Sequence, residues 1–179
     1  TEINALVIDV KDDYGQITFH PDNREAYGAS RGIIPDMPSL MAQLKAHDIY
    51  TIARVVCFKD PLYTEENPAL AIQAKNGAAW KDASDNLWLN PYNEQTWEYL
   101  LEVAVLAAQL GFDEVQLDYV RFPTEGKLSE IRYGDSGETQ KKAETIDSFI
   151  AYMRAGLASY GCLLSADVFG IAGVNTGDI

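Results

Sequence analysis

Four apolar runs in this 179-residue chain lead into charged residues. Residues 4–10 lead into Asp9-Val-Lys11-Asp12-Asp13, and residues 50–57 contain Arg54 and lead into Lys59-Asp60. Residues 114–120 hold Asp118 and are followed by Arg121, and residues 162–169 contain Asp167. Burying a carboxylate among Val, Leu and Phe is costly unless it is paired, so Asp118 and Asp167 call for a reason. Two carboxylates converging in one cleft can divide general-acid and nucleophile or base duties, as glycosidic-bond hydrolysis requires. Two other readings compete: an inward ion pair with Arg54 or Arg121, and acidic strand ends serving as metal ligands.

The stretch 58–90 adds Tyr63, Trp80 and Trp88, with Tyr92 just beyond it. Exposed aromatic rings stack on the apolar faces of sugars, so a loop rich in them suits a saccharide cleft; ordinary loop packing is the alternative. His20 and His47 lie far apart, which does not supply a histidine-rich metal site. His47 is expected on the solvent side of a helix, and His20 either lines the cleft or is solvated. No G-x-x-x-x-G-K-[ST] or G-x-S-x-G pattern occurs, which removes the main support for phosphate-loop binding and serine hydrolysis. Ser165 reads as structural. Nothing in the sequence calls for a cofactor.

Elements of two kinds must position these groups. The four apolar runs are near-continuous in aliphatic and β-branched residues, as in strands of a parallel sheet buried on both faces. Helical spacing separates them. Met37, Leu40, Met41 and Leu44 form one stripe, with Asp36 as N-cap and Pro38 in the first turn. Trp97, Leu101, Ala104 and Ala108 form a second, started near Asn93 and stopped by Gly111. Ile146, Phe149, Ile150, Met153 and Leu157 form a third, stopped by Gly161. The order β-α-β-α-β-α-β predicts an α/β fold with right-handed crossovers. The connection 58–90 is long enough to be functional or a lid, and residues 126–137 read as a mobile loop.

The absence of a G-x-G-x-x-G turn after the first strand weighs against a doubly wound sheet. The expectation is a single domain, residues 1–179, built as part of a (β/α)8 barrel. A whole barrel takes roughly 250 residues, so four strands make a partial one. Charges at the carboxyl ends of parallel strands would then converge on the face where barrel active sites lie. A half-barrel would also expose its edges and inner face and self-associate.

Composition narrows the partners. There are 27 Asp and Glu against 14 Lys and Arg, a net charge of −13. Such a chain repels phosphate backbones and anionic membrane surfaces, so nucleic acid is not expected and partners should be neutral or cationic. No apolar run reaches the roughly 18 residues of a membrane span, so no membrane insertion is expected. The two cysteines, Cys57 and Cys162, sit in apolar runs as small buried hydrophobes and form no disulfide framework.

Several segments carry a resemblance: Ala5-Leu-Val-Ile-Asp-Val-Lys-Asp-Asp13, Ile52-Ala-Arg-Val-Val-Cys-Phe-Lys-Asp-Pro61, Leu89-Asn-Pro-Tyr-Asn93, Phe112-Asp-Glu-Val-Gln-Leu-Asp-Tyr-Val-Arg-Phe-Pro123 and Ser165-Ala-Asp-Val-Phe-Gly170. Together they closely resemble a bacterial family of glycoside-hydrolase-like TIM-barrel proteins, long catalogued as a domain of unknown function. The resemblance spans nearly the whole chain. It implies that the first strand corresponds to the family's second barrel strand. By analogy with α-glycosidase-like barrels it also implies Asp118 as nucleophile and Asp167 as acid/base, acting on a carbohydrate.

On this reading Asp9, Lys11, Asp12, Arg54, Lys59, Tyr119 and Arg121 bind and orient substrate, with Trp80 and Trp88 as aromatic walls. The family's association with the cell envelope or secretion implies an extracytoplasmic location. Two alternatives stand beside hydrolysis: a saccharide-binding barrel without catalysis, and a metal-dependent hydrolase using the acidic cluster.

Overall fold

The computed structural model describes residues 3–21 and 30–169. In chain order its elements are β1 (Ala5–Lys11), α1 (Met37–Ala46), β2 (Tyr50–Val56), α2 (Pro61–Glu66), β3 (Gln73–Ala74) and α3 (Glu94–Leu110). They continue with β4 (Glu114–Asp118), β5 (Ile131–Arg132), α4 (Asp135–Thr139), α5 (Lys142–Leu157) and β6 (Leu163–Ala166). Gly170, the last residue of the Ser165 motif, lies outside the described residues.

The main sheet is parallel and ordered β1-β2-β4-β6, so strands adjacent in space follow one another along the chain. A doubly wound sheet reverses its order at a switch point; an unreversed order with helices between strands is an arc of an α/β barrel. Along β2 and β4, Thr51, Ala53, Val55, Val115 and Leu117 are buried, while Ile52, Arg54, Glu114 and Gln116 between them are only half-buried. The strands therefore bury one face fully rather than two. The other carries the cleft residues.

Local sequence explains the helices. The Asp36 side chain accepts from the Ser39 N–H at 2.9 Å and caps α1, which buries Met37 and Met41. The Asn93 side chain accepts from the Gln95 N–H, and Gly111 closes α3 in the left-handed conformation at φ 85°. The buried face of α3 is centred on Tyr99, Leu100, Val103, Ala104 and Ala107 rather than on Trp97 and Leu101. Those two turn toward α5: the Trp97 ring lies 5.8 Å from Phe149, and a Cβ on Gly156 would sit 2.5 Å from Leu101. Helix α3 is packed on two sides, which a single stripe cannot encode.

The connection after β2 is structured. Asp60 caps α2, and β3 pairs antiparallel with β5, joining this connection to the one that follows β4. Residues 126–137, expected as a mobile loop, contain β5 and the start of α4. The pairing of Gln73 with Arg132 and of Ala74 with Ile131 is long-range and invisible to local pattern.

Candidate active site

Strand register builds the site. Asp9 pairs with Arg54, Arg54 with Gln116 and Gln116 with Ser165, so one residue of each strand lies in a row across the inner face. One layer nearer the carboxyl ends, Asp118 pairs with Val56, and the Asp167 N–H donates to the Leu117 carbonyl.

Arg54 organises this row. Its guanidinium donates to Asp118 Oδ2 from Nε at 2.8 Å and from Nη2 at 2.5 Å, to Asp9 Oδ1 at 3.1 Å, and to Asp13 Oδ2 at 3.3 Å. Partial burial alone would lower its pKa, but the three carboxylates outweigh it and push the pKa above its ordinary value. Arg54 is therefore a permanent cation. Among the described residues no group of three His, Cys, Asp or Glu is placed to hold a metal ion; the acidic strand ends surround a guanidinium instead.

Asp118 is thus paired with Arg54, one of the two cations expected beside it. Its other oxygen accepts from the Tyr119 backbone N–H at 2.6 Å. Tyr119 has φ 50°, a left-handed conformation uncommon for a residue with a side chain, at the point where β4 turns into its loop. Asp167 is exposed, and Oδ1 accepts from Gln116 Nε2 at 3.1 Å. Asp118 and Asp167 line one cleft of about 240 Å³, together with Arg54, Tyr119, Arg121 and Phe169.

A second cavity, about 170 Å³, shares Tyr119 and Arg121 with the first and extends to Lys59 and Trp88. The Lys59 ammonium lies 4.8 Å from the Tyr119 ring centroid, and the Arg121 guanidinium lies 5.2 Å from both Tyr119 and Trp88. Burial lowers the Arg121 pKa, although Tyr119 and then the carboxylates of Glu125, Asp118 and Asp82 oppose the shift.

Several expected binding residues are placed elsewhere. Lys11 is fully buried: its Nζ pairs with Asp60 Oδ2 at 2.9 Å and donates to the Val56 carbonyl at 2.6 Å. The cause is a break in register, with Asp9 opposite Arg54 but Lys11 opposite Val55. One extra residue in β1 turns Lys11 from the cleft face to the helix side. Trp80 is also buried, its indole donating to the Lys127 carbonyl at 3.1 Å, and it lines a separate cavity between residues 74–85 and 126–130, away from Asp118 and Asp167. Trp88 is equally enclosed, its indole donating to Asp82 Oδ2 at 2.9 Å, and it contributes to the second cavity's wall. Asp12 accepts from the Tyr14 and Gln16 N–H groups and shapes the turn after β1.

Tyr63 stacks on Tyr99 with centroids 3.6 Å apart, and Tyr92 packs on Phe122, so both belong to the framework. His47 is exposed, and exposed His20 makes a 2.6 Å hydrogen bond with Ser30. Ser165 donates to Glu114. Cys57 is buried, which pushes its thiol up to about 12.

Asp13, Gln116 and Phe169 join the site without having been singled out. Gln116 was findable, because it lies two residues before Asp118 and so on the same strand face. Asp13 and Phe169 depend on how loops fold back, for which no local signal exists.

Comparison with known proteins gives this geometry a context. Residues 1–178 match the family described as "Putative glycosyl hydrolase domain". No curated protein matches the chain. A hypothetical protein from Ruminiclostridium thermocellum ATCC 27405, known from its crystal structure, is 40% identical with a TM-score of 0.85, over 96% of this chain and 86% of that one. Alpha-L-fucosidase isoenzyme 2 from Paenibacillus thiaminolyticus aligns over 92% of this chain at 13% identity and a TM-score of 0.62. An alpha-galactosidase from Thermus thermophilus aligns over 91% at 17% identity and a TM-score of 0.58. These two likenesses concern the fold, and the chain spans only 27% and 31% of those proteins' lengths.

Proposed function

The chain belongs to that glycosyl hydrolase domain family, and from this premise we propose that it cleaves glycosidic bonds with Asp118 as nucleophile and Asp167 as general acid/base. The observation that carries the reading is the shared cleft: both carboxylates line it at the carboxyl ends of adjacent parallel strands. Their environments differ in the way a division of labour needs. Asp118 is fixed in place by two bonds from the Arg54 guanidinium, whereas Asp167 is exposed, held only by the Gln116 amide, and open to a leaving group and to water. In a displacement mechanism Asp118 attacks the anomeric carbon as Asp167 protonates the departing oxygen; Asp167 then takes a proton from the water that releases the sugar. Asp9 and Arg54 hold the row beneath, and Tyr119 forms one wall. The same reading puts the protein at the cell envelope or outside the cell, where polysaccharides are met.

The test is a glycan panel with two variants. Asp118→Asn should abolish turnover and leave binding intact. Asp167→Asn should lose natural substrates but still release a good aryl leaving group, which needs no protonation to depart. The wild type should show a bell-shaped dependence of kcat/KM on pH. Undiminished turnover in Asp118→Asn sinks the assignment.

A binding barrel without catalysis is the second reading. One observation favours it: both oxygens of Asp118 already accept hydrogen bonds without substrate. Saturable binding of a glycan with no turnover anywhere in the panel would decide for it.

A further inference from the structure

The second cavity holds an imbalance that hydrolysis by Asp118 and Asp167 does not use. In a chain of net charge −13, two cations, Lys59 and Arg121, are gathered at one small cavity. Both stand near the Tyr119 ring, at 4.8 and 5.2 Å from its centroid. Among the described residues Arg121 forms no ion pair, and only its Nη1 donates, to the Phe122 carbonyl and Thr124 Oγ1 at 3.2 Å each. Its Nε and Nη2 edge makes no hydrogen bond there. The nearest carboxylate to Lys59, Asp13, is 3.9 Å away and already accepts from Arg54.

Two carboxylates do line the cavity. Asp82 is committed to its own loop, accepting from the Trp88 indole and from the Ser84 and Asn86 N–H groups, and Glu125 is exposed. Half-burying the Arg121 guanidinium costs desolvation. Aromatic faces offset part of that cost. Tyr119 and the carboxylates of Glu125, Asp118 and Asp82 offset more of it, but the net shift of Arg121 stays downward; a neutral sugar adds nothing to that balance, whereas an anion between the two cations would.

We propose that this cavity is a subsite for a carboxylate carried by the saccharide, gripped side-on by Arg121 Nε and Nη2 and countered by the Lys59 ammonium. This inference rests on the carbohydrate-active reading above and names its substrate class: uronic-acid-containing glycans. The fork of an arginine matches a carboxylate bidentately, which selects charge and shape together. The chain's overall negative charge does not forbid it. That field is screened over about 10 Å at 0.1 M salt, so within the cavity the adjacent cations dominate.

The experiment compares short oligosaccharides of galacturonate, mannuronate and glucuronate with their methyl esters, which keep the skeleton and lose the charge. Binding to the protein is followed by calorimetry. At least one acid form should bind about tenfold or more tighter than its ester, as expected for a charge-assisted bidentate contact. The preference should weaken as salt is raised. Arg121→Gln should abolish it, Arg121→Lys should restore only part, and Lys59→Gln should reduce it independently should the arginine variants fold poorly. Equal binding of acids and esters, or binding of neutral glycans alone, overturns the proposal, as does failure of every acid to bind. Acid-selective binding without turnover leaves the subsite standing and removes the hydrolase reading. Turnover indifferent to the carboxylate does the reverse.

Discussion

Arg54 binds three carboxylates from two strand ends, so its removal leaves Asp9, Asp13 and Asp118 facing one another without a cation. Because its pKa is raised, its stabilising contribution is complete below its ordinary value and is lost only at alkaline pH far above neutral. Wild-type stability should therefore show no loss from this cluster across neutral pH. Arg54→Gln should cost about 1–3 kcal/mol, less than a fully buried pair because the carboxylates are partly solvated. Urea unfolding at several pH values reads both effects, and a variant as stable as wild type would show that the cluster is not held by Arg54. Lys11 and Asp60 behave differently, since both are fully buried and Asp60 Oδ2 also accepts from the Tyr99 hydroxyl at 3.1 Å. Asp60→Ala should cost about 3–5 kcal/mol by stranding a buried ammonium, and adding Lys11→Met should recover much of it. Additive losses in the double variant would refute that account.

At the scale of elements, what the sequence shows depends on how local the cause is. The cap at Asp36, the stop at Gly111 and the apolar runs of the main strands depend on neighbouring residues, and each is found where the pattern places it. The position of Lys11 was not legible, because one bulge in β1 reverses the face and no residue type announces it. The burial of Trp80 and Trp88 is hidden for a related reason: composition says aromatic, but only tertiary packing says how little of each ring is left exposed. Asp118 and Asp167 share a cleft because their strands are neighbours, a consequence of topology that alternation already implied. The loop around Asp82 offers its own test. Burial alone would raise that carboxyl, but the Trp88 indole and the N–H groups of Asn86 and Ser84 hold it below the usual range. A depressed carboxyl stabilises the fold above its unfolded pKa of about 3.9, and that contribution fades as pH falls through the lower folded value. The Trp88 indole resonance should report this transition below the ordinary carboxylate range. Asp82→Asn should abolish it and cost about 1 kcal/mol. A Trp88 signal that titrates unchanged in Asp82→Asn would break the link.

At the scale of the whole molecule, the sheet is one-sided. Helices cover one face, while on the other Val7 is 54% and Leu163 63% exposed, with Phe169 at 53% beyond β6. Among the described residues of the main sheet β1 pairs with β2 alone and β6 with β4 alone, and beyond the Lys11–Ile17 bridge at the end of β1 each outer edge carries no strand there. Apolar surface and open edges favour contact with other chains. The net charge of −13 opposes it through long-range repulsion. These forces respond oppositely to salt, which screens repulsion between charges and leaves apolar contact in place. This 179-residue chain should therefore associate more as its concentration rises, and more strongly at high ionic strength than at low. Leu163→Glu should weaken association while changing fold stability by no more than about 0.5 kcal/mol, since the side chain is mostly solvated. Sedimentation velocity across a concentration and salt series measures both dependences. A monomer throughout would show that the exposed face is too small or too divided by Arg54 and its carboxylates to act as an interface. Association that salt dissolves would mean that ion pairs, not the apolar face, hold the copies together.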